Sequence, residues 1–149
     1  MNRLLVMLAV AVLAFGFDAA GNSAQAQIAN INEAINKAGR QRMLSQRMAK
    51  FYQAINWGVA PANGAAEMDK ARKEFVAGLQ ELEGAPSNTP AIKDELALGR
   101  QQWIFFENAL FNRAGEKKAA ALNVATTSER ILEVMNNATG MYEQLQTRQ

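Results

Sequence analysis

The chain contains no cysteine and no histidine, and only three prolines in 149 residues. Without cysteine there is no disulfide, no acylated lipoprotein anchor and no thiolate nucleophile, so an exported form of this chain would rest on packing alone. The lack of both residue types removes the usual zinc sites, c-type haem attachment and histidine-dependent triads. No EF-hand spacing of Asp and Asn supplies a carboxylate metal site instead, and the ten glycines sit singly rather than in a phosphate-binding loop. A net charge of +2 is too balanced to indicate nucleic acid or a strongly anionic membrane surface as a partner. The expectation is therefore a protein that is not an enzyme and that holds no metal and no cofactor.

What is present begins with Met-Asn-Arg, an apolar run from Leu4 to Phe17, and Ala24-Gln25-Ala26, which fits an Ala-x-Ala cleavage site. Residues 1–26 read as a signal peptide and residues 27–149 as a single domain, exported to the periplasm and soluble after cleavage. An uncleaved anchor is the alternative, but the run is short of the roughly 20 apolar residues of a membrane span, and no later stretch approaches that length.

In the mature chain apolar residues recur at helical spacing and nowhere alternate at period two. Four helices are expected. The first runs from Ile28 to Trp57 and stops at Gly58; the second runs from Ala66 to Glu83, with Met68, Ala71, Phe75, Leu79 and Leu82 inward and Gly84 as a left-handed cap. The third opens with Thr89 as N-cap and Pro90 in its first turn, and turns Ile92, Leu96, Trp103, Phe106 and Leu110 inward. The fourth spans Glu116 to Gln146, with Leu122, Ala125, Ser128, Leu132, Met135, Thr139 and Tyr142 on one face. Short connections imply an all-α, antiparallel up-down-up-down four-helix bundle with both chain ends at one end. The aromatic cluster Trp103 to Phe111 is read as core of the third helix against the first and fourth, and Arg72, Lys73, Lys117 and Lys118 as solvated charges.

The segment Ile35 to Lys50, INKAGRQRMLSQRMAK, carries the most chemical information. At heptad spacing one row runs Ile28, Ile31, Ile35, Ala38, Arg42, Ser45, Ala49 and Tyr52, so three isoleucines hand over to a small residue, a cation and a hydroxyl. A second row, Leu44, Met48, Phe51 and Ile55, can fill the subunit's own core, leaving the first for a partner helix or a ligand. An arginine held between apolar surfaces needs an anion, and its planar fork suits a carboxylate, phosphate or other planar oxyanion.

Ile35-Asn36-Lys37-Ala38-Gly39, followed by Arg42-Met43, Ser45 and Arg47, resembles in residue type and spacing the signature box of nitrate/nitrite sensor kinases. Val124 to Glu143 is similar to the closing helix of PilJ-type domains, the periplasmic N-terminal domains of type IV pili methyl-accepting chemotaxis transducers. The resemblance implies a PilJ-type sensor domain in which Arg42 binds nitrate or nitrite where two first helices meet across a twofold axis. By the same carry-over Gly39 allows close approach of the anion, Ser45 lies one turn on, and Arg47 matches the motif. Ile28, Ile31, Ile35 and Ala38 would form the dimer seam. Arg47 should point away from Arg42, with Arg40 as a further candidate. Relatives carry membrane helices and an output module, neither of which is seen in this chain, so a membrane-bound signalling partner is expected. The competing expectation is a structural or interaction bundle that docks on a membrane receptor or pilus-related assembly without a small ligand.

Overall fold

A computed structural model describes residues 28–111 and 116–148. The expected signal peptide lies outside them. Four helices follow in order: α1 (Ile31–Asn56), α2 (Gly64–Glu83), α3 (Pro90–Phe111) and α4 (Lys117–Gln146). No strand occurs among the described residues. Cross-helix bonds show every neighbouring pair to be antiparallel. Lys37 meets Glu81 at 2.6 Å and Arg47 meets Glu67 between α1 and α2, while Arg100 meets Glu83 at 2.6 Å and Arg72 meets Glu107 at 3.2 Å between α2 and α3. Asn137 donates to Glu95 at 3.1 Å between α3 and α4, and Gln53 donates to the Ala121 carbonyl at 2.8 Å while Asn32 pairs with Gln146 between α1 and α4. The result is an up-down-up-down bundle in which α1 and α3 lie on a diagonal.

Local chemistry sets the helix ends. The side chain of Asn30 accepts from the Glu33 amide at 3.0 Å, and Glu33 reaches back to accept from the Ala29 amide at 2.8 Å, so one first-turn donor of α1 and one donor of the segment leading into it are satisfied. At the other end Gly58 takes φ +72°, a left-handed turn that glycine adopts without a Cβ penalty, and α1 stops there as expected. Thr89 accepts from the Ile92 amide at 3.3 Å and caps α3, again as expected.

Gly84 does not behave as expected. Its φ of −86° is right-handed. The reason is Asn88, whose amide donates to the Leu82 carbonyl at 2.7 Å and the Glu83 carbonyl at 3.3 Å, satisfying the end of α2 without a left-handed residue. The same Asn88 accepts from the Tyr142 hydroxyl at 2.6 Å, so one amide ties α2 to α4. Burial of Tyr142 raises its phenol from 10.0 to about 12. Because the folded form resists ionisation while the unfolded form does not, this contribution to stability is intact below pH 10 and is lost as pH rises through about 12. Alkaline unfolding followed by circular dichroism should show that loss in the native chain and a flatter curve in Tyr142→Phe.

The core is built from Ala34, Ala38, Leu44 and Met48 of α1, Phe75, Leu79 and Leu82 of α2, Ile92, Leu96, Trp103 and Phe106 of α3, and Val124, Ile131, Met135 and Tyr142 of α4. The expected face of α4 leaves the core at its N-terminal end. On α4, Leu122 and Ala125 are exposed and Leu132 is half-buried, their places being taken by Val124, Thr127, Ile131, Val134 and Ala138. A straight helix drifts about 20° per heptad from a seven-residue repeat, so a row read at strict heptad spacing leaves the core at one end. The buried hydroxyls of Thr127, Ser128 and Thr139 donate to carbonyls of their own helix at 2.7–2.8 Å, which lets small polar residues line the core.

α3 packs on α4 and α2 rather than on α1. Trp103 stacks on Phe75 of α2 with centroids 4.6 Å apart and meets Phe106 edge-on at 6.1 Å. Within the same aromatic cluster Ile104, Phe105 and Phe111 are turned outward. Arg72 is not a free solvated charge. It bridges Asp69 and Glu107, both at 3.2 Å, beneath the Phe111 ring, and together with Lys73 it holds the Asp69 carboxyl below its usual range.

Candidate functional site

The three arginines of the α1 motif face two different neighbours. Arg40 and Arg47 turn toward α2, where Arg40 pairs with Glu74 at 2.6 Å and Arg47 with Glu67. Arg47 also lies over the Phe51 ring at 5.5 Å. These two ion pairs flank a narrow cleft that includes Met43, Leu44, Lys70 and Ala71, and each positive charge in them is balanced locally.

Arg42 turns the other way, toward α4. It is half-buried, and its Nη1 donates to Oδ1 of Asn136 at 2.9 Å. Among the described residues no carboxylate lies within ion-pair distance of Arg42, so its charge is met by a neutral amide oxygen. The guanidinium folds back along its own helix over Gly39, where an added Cβ would stand 3.5 Å from Nη2. The glycine leaves the backbone bare beside the cation. Arg42 and Gly39 are thus neighbours one turn apart on α1, with Asn136 of α4 beside them as a third member that the sequence alone did not single out. Its signal is weak: Asn136 and Asn137 form a polar pair directly after the buried Val134 and Met135 of α4.

Ser45 and Arg47 do not join this group. Ser45 is 0 % exposed and its hydroxyl donates to the Arg42 carbonyl at 2.9 Å within the helix, so it has no surface to offer a ligand. Arg47 lies on the α2 side, as its helical angle implied.

The isoleucine seam is corrected as well. Ile28, Ile31 and Ala38 are 2 %, 9 % and 0 % exposed, and Ile35 packs against the same core. Ile28, Ile31 and Ala38 are enclosed within this chain and Ile35 is half-buried against them, so the four do not form an open dimer seam on its surface. The row facing outward is displaced by one position: Asn32, Asn36, Gly39, Met43, Gln46 and Lys50 are exposed or half-buried. The misplacement has a physical cause in the polar residues that α1 does bury. Gln41, like Ser45, is 0 % exposed, and a glutamine at the core centre hides the true inward face from a hydrophobic pattern.

Gln41 is also unusual in its bonding, since neither its Nε2 nor its Oε1 has a partner. Its amide occupies the space left by Gly78 of α2, where a Cβ would fall 1.9 Å from Nε2. The largely buried Lys37–Glu81 pair, with side chains 25 % and 11 % exposed, lies at the same level of the α1–α2 contact.

None of the described helices is long and apolar enough to cross a membrane. A family model described as type IV pili methyl-accepting chemotaxis transducer N-term matches residues 24–132. No curated protein and no solved structure matches the chain.

Proposed function

The chain belongs to the family of type IV pili methyl-accepting chemotaxis transducer N-terminal domains, a sensory and signalling family, and from that premise we propose that it is an exported periplasmic sensor bundle that binds a small planar oxyanion, nitrate or nitrite, at Arg42. The observation that carries this reading is the contrast among the α1 arginines. Arg40 and Arg47 are neutralised by Glu74 and Glu67, while Arg42 is matched only by the amide oxygen of Asn136. An oxyanion displacing that oxygen would form charge-assisted hydrogen bonds, about twice as strong as neutral ones, with the guanidinium fork. The open backbone at Gly39 leaves room for it to do so.

A second copy approaching along the row of Asn36, Gly39 and Met43 would bring a second Arg42 to the same anion. Without the anion the two guanidiniums repel; with it they are bridged, and the packing of the two α1 helices responds to ligand. The chain acts by binding, and a membrane-bound signalling partner reads its state. The interaction-bundle reading uses the same unneutralised cation, with a carboxylate of a protein partner in place of the free anion.

Thermal unfolding with nitrate, nitrite, acetate, sulfate or chloride at matched ionic strength separates the two. At about 100 times its dissociation constant a ligand specific to the folded state adds roughly 2.7 kcal/mol. Nitrate or nitrite is expected to produce such a shift in the native chain and none in Arg42→Ala. The absence of any anion-specific shift at a concentration where the α1-paired dimer is demonstrated would refute the oxyanion reading and favour the protein partner.

A further inference from the structure

The small net charge of the chain conceals an uneven distribution. With each helix divided at its midpoint and flanking residues assigned to the nearer end, the half of the bundle that holds the chain ends has six cationic and eight carboxylate side chains among the described residues. The opposite half has eight cationic and five carboxylate side chains, so the charge changes from −2 to +3 along the bundle axis. Exposed apolar surface gathers in the same positive half. Trp57, Val59 and Leu122 are the most open of the large apolar side chains, at 81 %, 72 % and 68 %, and all three lie at its outer end. The left-handed turn at Gly58 carries Trp57 and Val59 past the end of α1. Trp57 shares a shallow groove with Lys117 and Lys118, Leu122 lies one turn from Lys118 on the same face of α4, and Lys50 lines the adjoining groove together with Glu129. No ion pair engages Lys50, Lys117 or Lys118 among the described residues, whereas Glu67, Asp69 and Glu107 of this half are held by Arg47 and Arg72. Glu116 and Glu129 are the remaining carboxylates, which leaves the lysines in excess.

The kind of cation identifies the occupant. Interfaces between proteins are enriched in arginine and depleted in lysine. Here the cations beside the apolar tip are all lysines, and the nearby Arg47 and Arg72 are already taken by carboxylates. Lysine lays its stem along apolar surface while its ammonium reaches a phosphate, and tryptophan settles at the boundary between headgroups and acyl chains. Exposed Val59 and Leu122 add apolar area that can follow the indole in. A protein partner would need an acidic rim placed around an apolar pocket. An anionic bilayer offers negative charge above an apolar layer at every point of its surface, and each nearby lysine strengthens the attraction.

We infer that the end of the bundle opposite the chain ends docks on an anionic lipid surface, with Trp57, Val59 and Leu122 entering the headgroup layer and Lys50, Lys117 and Lys118 meeting its phosphates. Arg42 falls in the other half of the bundle, so this contact does not depend on the oxyanion reading.

The chain has two tryptophans and Trp103 is buried, so emission reads the tip once the Trp57→Phe spectrum is subtracted. Vesicles of phosphatidylcholine mixed with phosphatidylglycerol are expected to move the Trp57 emission of the full chain to shorter wavelength, while vesicles of phosphatidylcholine alone leave it in place. The shift should disappear at about 1 M salt, where the screening length falls to about 3 Å. Lys117→Gln and Lys118→Gln should each weaken binding about fivefold, the contribution of one lysine near an anionic surface. Lys93→Gln and Arg42→Ala, in the other half, should leave it unchanged. Residues 1–27 are common to every variant, so differences between variants read the tip. The substituted lysines are exposed, and circular dichroism should stay native. No shift on the mixed vesicles, an equal shift on phosphatidylcholine alone, or a loss as large in Lys93→Gln as in Lys117→Gln would overturn the inference. Binding to poly-glutamate with the same lysine dependence and without a Trp57 shift on vesicles would overturn it too, and would assign the tip to an acidic protein.

Discussion

Trp103→Ala is expected to lower the unfolding free energy by about 3–5 kcal/mol, the range for removing a large aromatic side chain from a core. Trp103 is 3 % exposed, stacks on Phe75 at 4.6 Å and meets Phe106 edge-on at 6.1 Å. The loss should be at the upper end of that range. α2 and α3 stand far enough apart to be joined by large rings and by peripheral ion pairs, and backbone atoms cannot close in to fill the cavity. The ion pairs do not compensate, because partly exposed pairs such as Arg100 with Glu83 contribute about 0–1 kcal/mol each. Urea denaturation of native chain and variant gives the number directly. The neighbouring Phe105→Ala serves as the control, since Phe105 is 51 % exposed and its removal from a monomer should change stability by no more than about 0.5 kcal/mol.

Gln41→Met is expected to act in the opposite direction, stabilising the fold by about 2–4 kcal/mol. Each buried polar atom without a partner costs about 1–3 kcal/mol, and both amide atoms of Gln41 are in that condition at 0 % exposure. Methionine keeps the volume and the flexibility of the side chain while removing the desolvated groups. The partner position provides a second check. A Cβ at Gly78 would lie 1.9 Å from Gln41 Nε2, so Gly78→Ala must push the amide out of its place and should destabilise by about 1–3 kcal/mol. Gly78→Ala combined with Gln41→Ala should recover part of that loss, and a double-mutant cycle measures the coupling. A native chain already as stable as Gln41→Met would indicate that water satisfies the amide.

The same residue explains where reading the sequence reached its limit. The four helices, their order and several of their ends follow from short-range signals: Thr89 as N-cap, Gly58 as the stop of α1, and helical spacing of apolar residues in each segment, whereas the Asn30 cap starts α1 at Ile31 rather than at the expected Ile28. The expectation failed at Gly84 because Asn88, four residues on, satisfies the carbonyls of α2 through its side chain. It failed on α1 because the core there contains Gln41 and Ser45, so the most hydrophobic-looking row was assigned to the surface and the true outward row was missed by one position. A one-position shift on a helix is about 100°, enough to exchange a buried isoleucine for an exposed asparagine.

The family follows the same division. The motif around Gly39 and Arg42 and the stretch Val124 to Glu143 were legible as linear patterns of residue types, and the PilJ-type family read from them is the one whose model matches residues 24–132. Which members of the motif converge was not legible. Arg40, Arg42 and Arg47 are chemically alike in sequence, and their environments separate only when α2 presents Glu74 and Glu67 to two of them and α4 presents Asn136 to the third.

By itself, then, the sequence determined an all-α chain of four amphipathic helices carrying a PilJ-type motif, because helix formation and termination depend on residues within a few positions of one another. Only the tertiary structure decided which arginine keeps an unneutralised charge, that Ile28 and Ile31 are interior, and that Ile104, Phe105 and Phe111 are left in solvent. Those outcomes depend on which helix lies beside which, and a residue's neighbours across the bundle are set by packing of the whole chain rather than by its own segment.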